Sequence, residues 1–136
     1  MKKIFIYEKN KYIYFNDLGL VYKTCINKDM FCLFSNKLNF ALDKTKNIDN
    51  LRRWSTSSFD FVVVNSIRSR SGEKIYLIKV KNKLNSKREP NVIFFSKDRG
   101  IVGFIIYYLN HNITDTYWLV GDLGIGHKNQ NESSPD

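Results

Sequence analysis

The stretch from Phe59 to Leu109 decides the architecture: it reads FDFVVV at 59–64, KIYLIKVK at 74–81, NVIFFS at 91–96 and IVGFIIYYL at 101–109. Each block is rich in β-branched and aromatic residues, which suit a pleated, half-buried surface. Between the blocks stand Ser69-Arg70-Ser71-Gly72, Asn85 to Pro90 and Lys97-Asp98-Arg99-Gly100, all with turn chemistry. A parallel crossover needs roughly a dozen residues or more, usually helical, so breaks this short predict antiparallel neighbours and exclude a doubly wound fold. Asn110-His111-Asn112 then leads to a last block at Thr116 to Val120.

Working towards the start, Lys3 to Tyr7 and Lys11 to Phe15 flank the polar break Glu8-Lys9-Asn10 and read as a hairpin. Asn16-Asp17-Leu18-Gly19 turns the chain into a weaker strand, Leu20 to Ile26, and Asn27-Lys28-Asp29 breaks it before Met30 to Phe34. The segment Ser35 to Trp54 fits two patterns. Leu38, Ala41, Leu42, Thr45, Ile48 and Leu51 would line one stripe of a helix, whereas Leu38, Phe40 and Leu42 also alternate as a strand would. Asn47 as N-cap, Asp49 near the helix start and Arg52 and Arg53 near its end favour a helix finishing near Trp54, with Ser55 to Ser58 unwinding it. The expected fold is α+β: a mostly antiparallel sheet or half-open barrel of about six to eight strands with one helix, roughly residues 37–55. Residues 1–126 form a single domain in this reading, and residues 127–136, which lack any large apolar side chain, a loosely ordered tail.

Composition sets the outer limits. The chain has 136 residues, with 22 Lys and Arg against 13 Asp and Glu, and its 10 Phe, 8 Tyr and 2 Trp exclude intrinsic disorder. No apolar run approaches the roughly 18 to 20 residues of a membrane-spanning helix, so no membrane partner is expected. The apolar run after Lys2 and Lys3 is ended at once by Glu8 and Lys9, which argues against an export signal and for a cytoplasmic chain. In such a chain the patterns Asn112-Ile113-Thr114 and Asn131-Glu132-Ser133 carry no glycosylation meaning. Cys25 and Cys32 stand alone in apolar surroundings; they could bridge, but a cytosolic chain would keep them reduced, as small core side chains. They lack the paired spacing of a zinc site, and neither metal nor cofactor is expected.

Charge is unevenly spread. Residues 61–100 carry 10 basic and 3 acidic groups, net +7, while residues 101–136 carry 1 and 4, net −3. Within the basic block a two-residue period places Lys79, Lys81 and Lys83 on one face of a strand and its continuation, with Arg68, Arg70, Lys87 and Arg88 at its ends. Such a patch attracts an acidic partner: nucleic acid, an anionic surface or an acidic protein. Lysines on a strand also serve simply as a solvated face that discourages edge pairing. A nucleic-acid reader would interleave aromatics on the same face, and the pattern offers only Tyr76, which points to the opposite face from Lys79.

Catalysis finds no constellation. A small basic ribonuclease would need a His pair, or a His with a carboxylate, and His111 and His127 fall in a polar turn and in the tail. Gly121-Asp122-Leu123-Gly124-Ile125-Gly126 has the wrong spacing for a dinucleotide fingerprint and reads as a turn; no Walker or nucleophile-elbow pattern occurs. The expectation is a protein that is not an enzyme.

In whole-chain character, and in Ser96-Lys97-Asp98-Arg99-Gly100-Ile101-Val102-Gly103-Phe104 with Tyr117-Trp118-Leu119-Val120-Gly121, the chain resembles the immunity proteins of bacterial contact-dependent growth inhibition and other polymorphic toxin systems. The resemblance implies a cytoplasmic inhibitor that binds one cognate toxin. Many such inhibitors are acidic, so a net charge of +9 implies an acidic toxin surface here. Arg68, Arg70, Lys79, Lys81, Lys83, Arg88 and the Tyr107/Tyr108 pair, one of which should be exposed, are the candidate contacts. A nucleic-acid-binding accessory module is the alternative, and a small basic ribonuclease a more distant one.

Overall fold

A computed structural model describes the backbone of residues 2–9, 12–15, 18–35, 38–84, 91–108 and 113–119, and the side chains of 22–35, 38–84, 91–106 and 115–119. Within these residues the chain forms β1 (Lys2–Lys9), β2 (Tyr12–Phe15), β3 (Leu18–Val21), β4 (Met30–Phe34), β5 (Asn39–Asp43), β6 (Arg53–Ser55), β7 (Phe59–Arg68), β8 (Lys74–Asn82), β9 (Asn91–Ser96), β10 (Gly100–Tyr108) and β11 (Ile113–Leu119). The strand count therefore exceeds the six to eight expected.

Nine strands make one open sheet in the order β3-β2-β1-β11-β10-β9-β8-β7-β6. From β6 to β11 the sheet is an antiparallel meander in sequence order, as the short turns require. Lys2 to Ile6 of β1 then dock parallel on Asp115 to Leu119 of β11, and β2 and β3 continue outward antiparallel. This one parallel pair joins opposite ends of the chain, so its connection has the length a parallel crossover demands.

The remaining strands, β4 and β5, form a separate two-stranded sheet that covers one face of the large one. Phe31 and Phe40 meet Phe95 of β9 with ring centroids 5.7 and 5.3 Å away, and Phe40 also meets Phe61 of β7 at 5.7 Å. Ile78, Ile93, Ile101 and Phe104, all fully buried, extend the same core. On the opposite face Ile75, Phe94 and Val102 form a smaller cluster with Trp118.

The helix expected over 37–55 is not there. Its first part is β5, where Phe40, Ala41 and Leu42 are consecutively buried, and its last part is β6. Among its described residues only Ile48–Asn50 is helical, as one 3-10 turn, and Asn47 caps it as expected by accepting from the Asp49 N–H. Tertiary contacts override the helical spacing. Trp54 stacks on Phe61 at 5.5 Å and its indole N–H donates to the Ala41 carbonyl at 2.6 Å, which holds residues 53–55 extended beside β7.

A second correction concerns the cysteines, which are joined as a disulfide rather than packed as thiols. Lys23 and Phe34 exchange backbone hydrogen bonds of 2.8 and 2.9 Å as an antiparallel bridge. Two residues inward on each side, Cys25 and Cys32 are opposite one another with Cα atoms 5.3 Å apart, an ordinary disulfide separation. The Lys23–Phe34 bridge thus sets the register that brings the two cysteines together.

In β10, Gly103 is needed for close approach. A Cβ there would lie 2.6 Å from the Tyr117 carbonyl oxygen and 2.9 Å from the Phe94 ring, which stacks on Trp118 at 4.8 Å. Gly103→Ala should therefore destabilise the fold by about 1–3 kcal/mol, read from urea midpoints. The bridge Cys25–Cys32 closes a short loop, with a separation of seven residues. By chain-entropy reasoning its reduction should lower stability by about 2–3 kcal/mol, measured as the denaturation midpoint with and without reductant; a Cys25→Ser, Cys32→Ser protein should be insensitive to reductant.

Candidate partner-binding surface

Strand parity on β8 sorts the charged residues. Lys74, Tyr76, Ile78 and Val80 share the face covered by the β4–β5 hairpin, and Ile75, Leu77, Lys79 and Lys81 share the other. Lys79 is flanked across the ladder by Val62 of β7 and Val92 of β9, and Lys81 by Asp60. Both lysines are exposed and neither makes an ion pair with a described residue.

The other candidates are placed differently. Lys83 lies past the end of β8, where its ammonium donates to the Thr56 carbonyl at 2.9 Å and stands 4.0 Å from Asp60, fastening the β6–β7 turn. Arg68 is the ladder partner of Lys74, so it lies on the covered face, roughly 17 Å along the strand from Lys79. Its guanidinium donates to the Gly72 carbonyl at 3.0 Å, within the turn that also carries the exposed Arg70. The structure thus brings Lys79 and Lys81 together and sets Arg68 and Arg70 apart from them. Arg88 lies outside the described residues, as do Lys87, His111, His127, the run Gly121 to Gly126 and the tail 127–136. Tyr107 and Tyr108 belong to β10, opposite Thr114 and Ile113, and their side chains are outside the description.

Two charged clusters escaped the sequence reading. Asp49, in the 3-10 turn, accepts from Lys97 at 2.8 Å and from Lys74 at 3.3 Å. The Lys97 ammonium, seconded by Lys74 and opposed by partial burial, holds this carboxyl below the usual carboxylate range. Glu73 receives a two-pronged Arg99 guanidinium, with Nε and Nη2 each 2.9 Å from a carboxylate oxygen, and the Ser96 hydroxyl at 2.7 Å. Arg99 first and Ser96 second keep Glu73 charged to lower pH than usual, against the cost of burial. These pairs span 25 to 48 residues of chain, so no local spacing announces them. They clamp the β7–β8 and β9–β10 turns together, whereas Lys79 and Lys81 make no ion pair with a described residue. Trp118 and Phe94 occupy the same face but are packed on one another, and the ladder neighbours of Lys79 are aliphatic. Tyr76 is buried on the opposite face. Among the described residues no three His, Cys, Asp or Glu groups gather as a metal site would require, and no helix is long and apolar enough to cross a membrane.

A carboxyl whose folded-state pKa is depressed stabilises the fold above its unfolded pKa and ceases to do so as pH falls through the folded value. Stability should therefore drop below about pH 4.3, the ordinary Glu value, and Glu73→Gln should reduce that acid-side loss while lowering stability at neutral pH by about 1–2 kcal/mol. Denaturant midpoints measured across the acid range check both.

No family model, no curated protein and no solved structure matches this chain.

Proposed function

We propose that the protein is a binding module for an acidic macromolecule, and specifically an inhibitor of the immunity type that holds a cognate toxin by an acidic surface. The observation that carries this reading is the pair Lys79 and Lys81, adjacent on one face of β8, exposed, and without an ion-pair partner among the described residues, while Asp60 across the ladder is engaged by Ser55 and Lys83. Such a patch speeds association with a negative surface. A protein partner is favoured over nucleic acid because aliphatic side chains, not stacking aromatics, flank Lys79 on that face. The chain in this reading binds rather than transforms its target.

A cytoplasmic site of action would keep Cys25 and Cys32 reduced, whereas the disulfide fits an oxidising compartment such as the periplasm or the cell exterior. Thiol labelling of the protein in native cells distinguishes the two: full labelling without reductant places it in the cytoplasm, and labelling only after reduction places it outside.

Lys79→Glu with Lys81→Glu should slow association with the native acidic partner by an order of magnitude or more. Urea midpoints should move little, apart from the repulsion that a carboxylate in place of Lys81 meets from Asp60 across the ladder. Random single-stranded RNA at physiological salt should bind weakly. Submicromolar RNA affinity that falls steeply with salt overturns the protein-partner reading in favour of nucleic acid, and an unchanged association rate in the double variant reduces the lysines to solvated surface.

A further inference from the structure

Strand β7 outruns its partner at the sheet edge. β6 pairs only with Asp60 to Val62, and the last bond along that side is the Val63 N–H donating to the Arg52 carbonyl at 2.9 Å. From Val64 to Arg68 the described strands give β7 a neighbour on one side alone, β8. All of these residues are exposed, and Val64 and Ile67, at 53% and 44%, are two of the four large apolar side chains exposed among the described residues. A cleft of about 230 Å³, between the 3-10 turn and Val63 to Ser66, leaves room beside the edge. Its backbone groups point outward. The Ser69 N–H donates to the Glu73 carbonyl at 2.8 Å, so the alternation of an antiparallel ladder turns the N–H and carbonyl of Arg68 away from β8. Ser66 faces the same way, and its N–H donates to the adjacent Asn65 side chain at 2.8 Å.

An open edge is a template for another strand, and the charge beside it selects which. Arg52 and Arg53 lead into β6, Arg68 ends β7 and Arg70 lies in the turn after it. All four are exposed, and none makes an ion pair with a described residue. The carboxylates of this region are already engaged, Asp49 by Lys97 and Lys74 and Glu73 by Arg99. A second copy of the chain would bring the same arginines against one another, and like charges across a ladder repel. The bulge between Val63 and Asn65 further discourages a long, flat pairing of two such edges. An acidic strand meets the arginines without that repulsion.

We propose that the outer edge of β7, from Val64 to Arg68, takes up an extended acidic segment of another protein as an added β-strand. In the charge of the partner the proposal rests on the binding-module reading above. Its surface is distinct, because backbone groups at the sheet edge make the contact and Lys79 and Lys81 do not. Main-chain hydrogen bonds supply affinity in this mode, and Val64 and Ile67 offer apolar contact to side chains of the added strand.

The test titrates the full chain with a short synthetic peptide alternating Val and Glu, followed by amide NMR shifts and hydrogen exchange. Saturable shifts from Val64 to Arg68 are expected, with slower exchange of the Arg68 amide. The same peptide with N-methylated backbone amides cannot complete a ladder and should bind about tenfold more weakly, as should a peptide alternating Val and Lys. Arg68→Pro removes the outward N–H at a position where a strand edge tolerates proline, and should weaken binding about tenfold. Arg52→Glu with Arg53→Glu should weaken it comparably and carries the test should the proline variant not fold. A lack of saturation, equal binding of the N-methylated peptide, or a response indifferent to both variants overturns the proposal. So does a dimer in sedimentation that Arg68→Pro dissociates, since that assigns the edge to a second copy. The Lys79→Glu, Lys81→Glu protein should keep the peptide response. Peptide binding that fails while that double variant still slows the native partner sinks the edge alone, and the converse pair of results sinks the lysine surface alone.

Discussion

An antiparallel sheet presents two faces, and whichever is apolar must be covered. The described residues include no α-helix with which to do so, and the burden falls on the β4–β5 hairpin, centred on Phe40. That ring is fully buried and meets Phe31, Trp54, Phe61 and Phe95 at centroid distances between 5.3 and 6.3 Å. Aromatic contacts of this kind fix orientation as well as burying area, because edge-to-face and tilted arrangements have preferred geometry. Trp54 couples the cover to the sheet edge, since its ring packs on Phe61 while its N–H holds the Ala41 carbonyl. The position of β6, the shortness of the 3-10 turn and the seating of β5 all follow from these contacts.

With the core settled by aromatics, charge is left to fasten the ends. The long β7–β8 hairpin is clamped at its turn by Arg68 on the Gly72 carbonyl and by Glu73 reaching Arg99 in the next turn. At its open end Lys83 secures the Thr56 carbonyl. Asp49 draws Lys74 and Lys97 over the 3-10 turn. Exposed ion pairs of this sort add little stability individually, whereas the Glu73–Arg99 pair, less exposed and two-pronged, contributes more. The consequence is selective: the net +7 of residues 61–100 is not a uniform patch, because its members have unequal work.

How much of this was legible depended on the range of the interactions. The meander was readable because each strand signal and each turn signal lies within ten or so residues, as in Ile75 to Lys81 followed by Asn91 to Ser96. The helix reading of 37–55 failed because Ile48 and Leu51 sit at helical spacing for a different reason: both pack into a core shaped by Phe40 and Trp54, which spacing does not reveal. The disulfide depends on register rather than on compartment: Lys23 pairing with Phe34 makes Cys25 and Cys32 neighbours, and no local spacing announces that register before β4 is placed. The two-residue period did put Lys79 and Lys81 on one face, yet it said nothing of Asp49 finding Lys97, which closes 48 residues of chain. Alternation alone turns Tyr76 away from Lys79, whereas its buried surroundings come from the distant β4–β5 hairpin and are not announced by local spacing.

That alternation on β8 has a functional corollary. Because neighbouring side chains of a strand project to opposite faces, Lys74 and Tyr76 on one side and Lys79 and Lys81 on the other lie within a single nine-residue strand but share no partner. Their energetic effects should be close to additive, since coupling between substitutions requires contact or a shared network. A strand paired with β7 along its length and with β9 from Tyr76 to Val80 transmits little from face to face except by shifting register, and the β7 bulge between Val63 and Asn65 lies in its partner rather than in β8 itself. One element therefore directs charge in two senses: Lys74 turns to Asp49 beside the 3-10 turn, while Lys79 and Lys81 point from the opposite face.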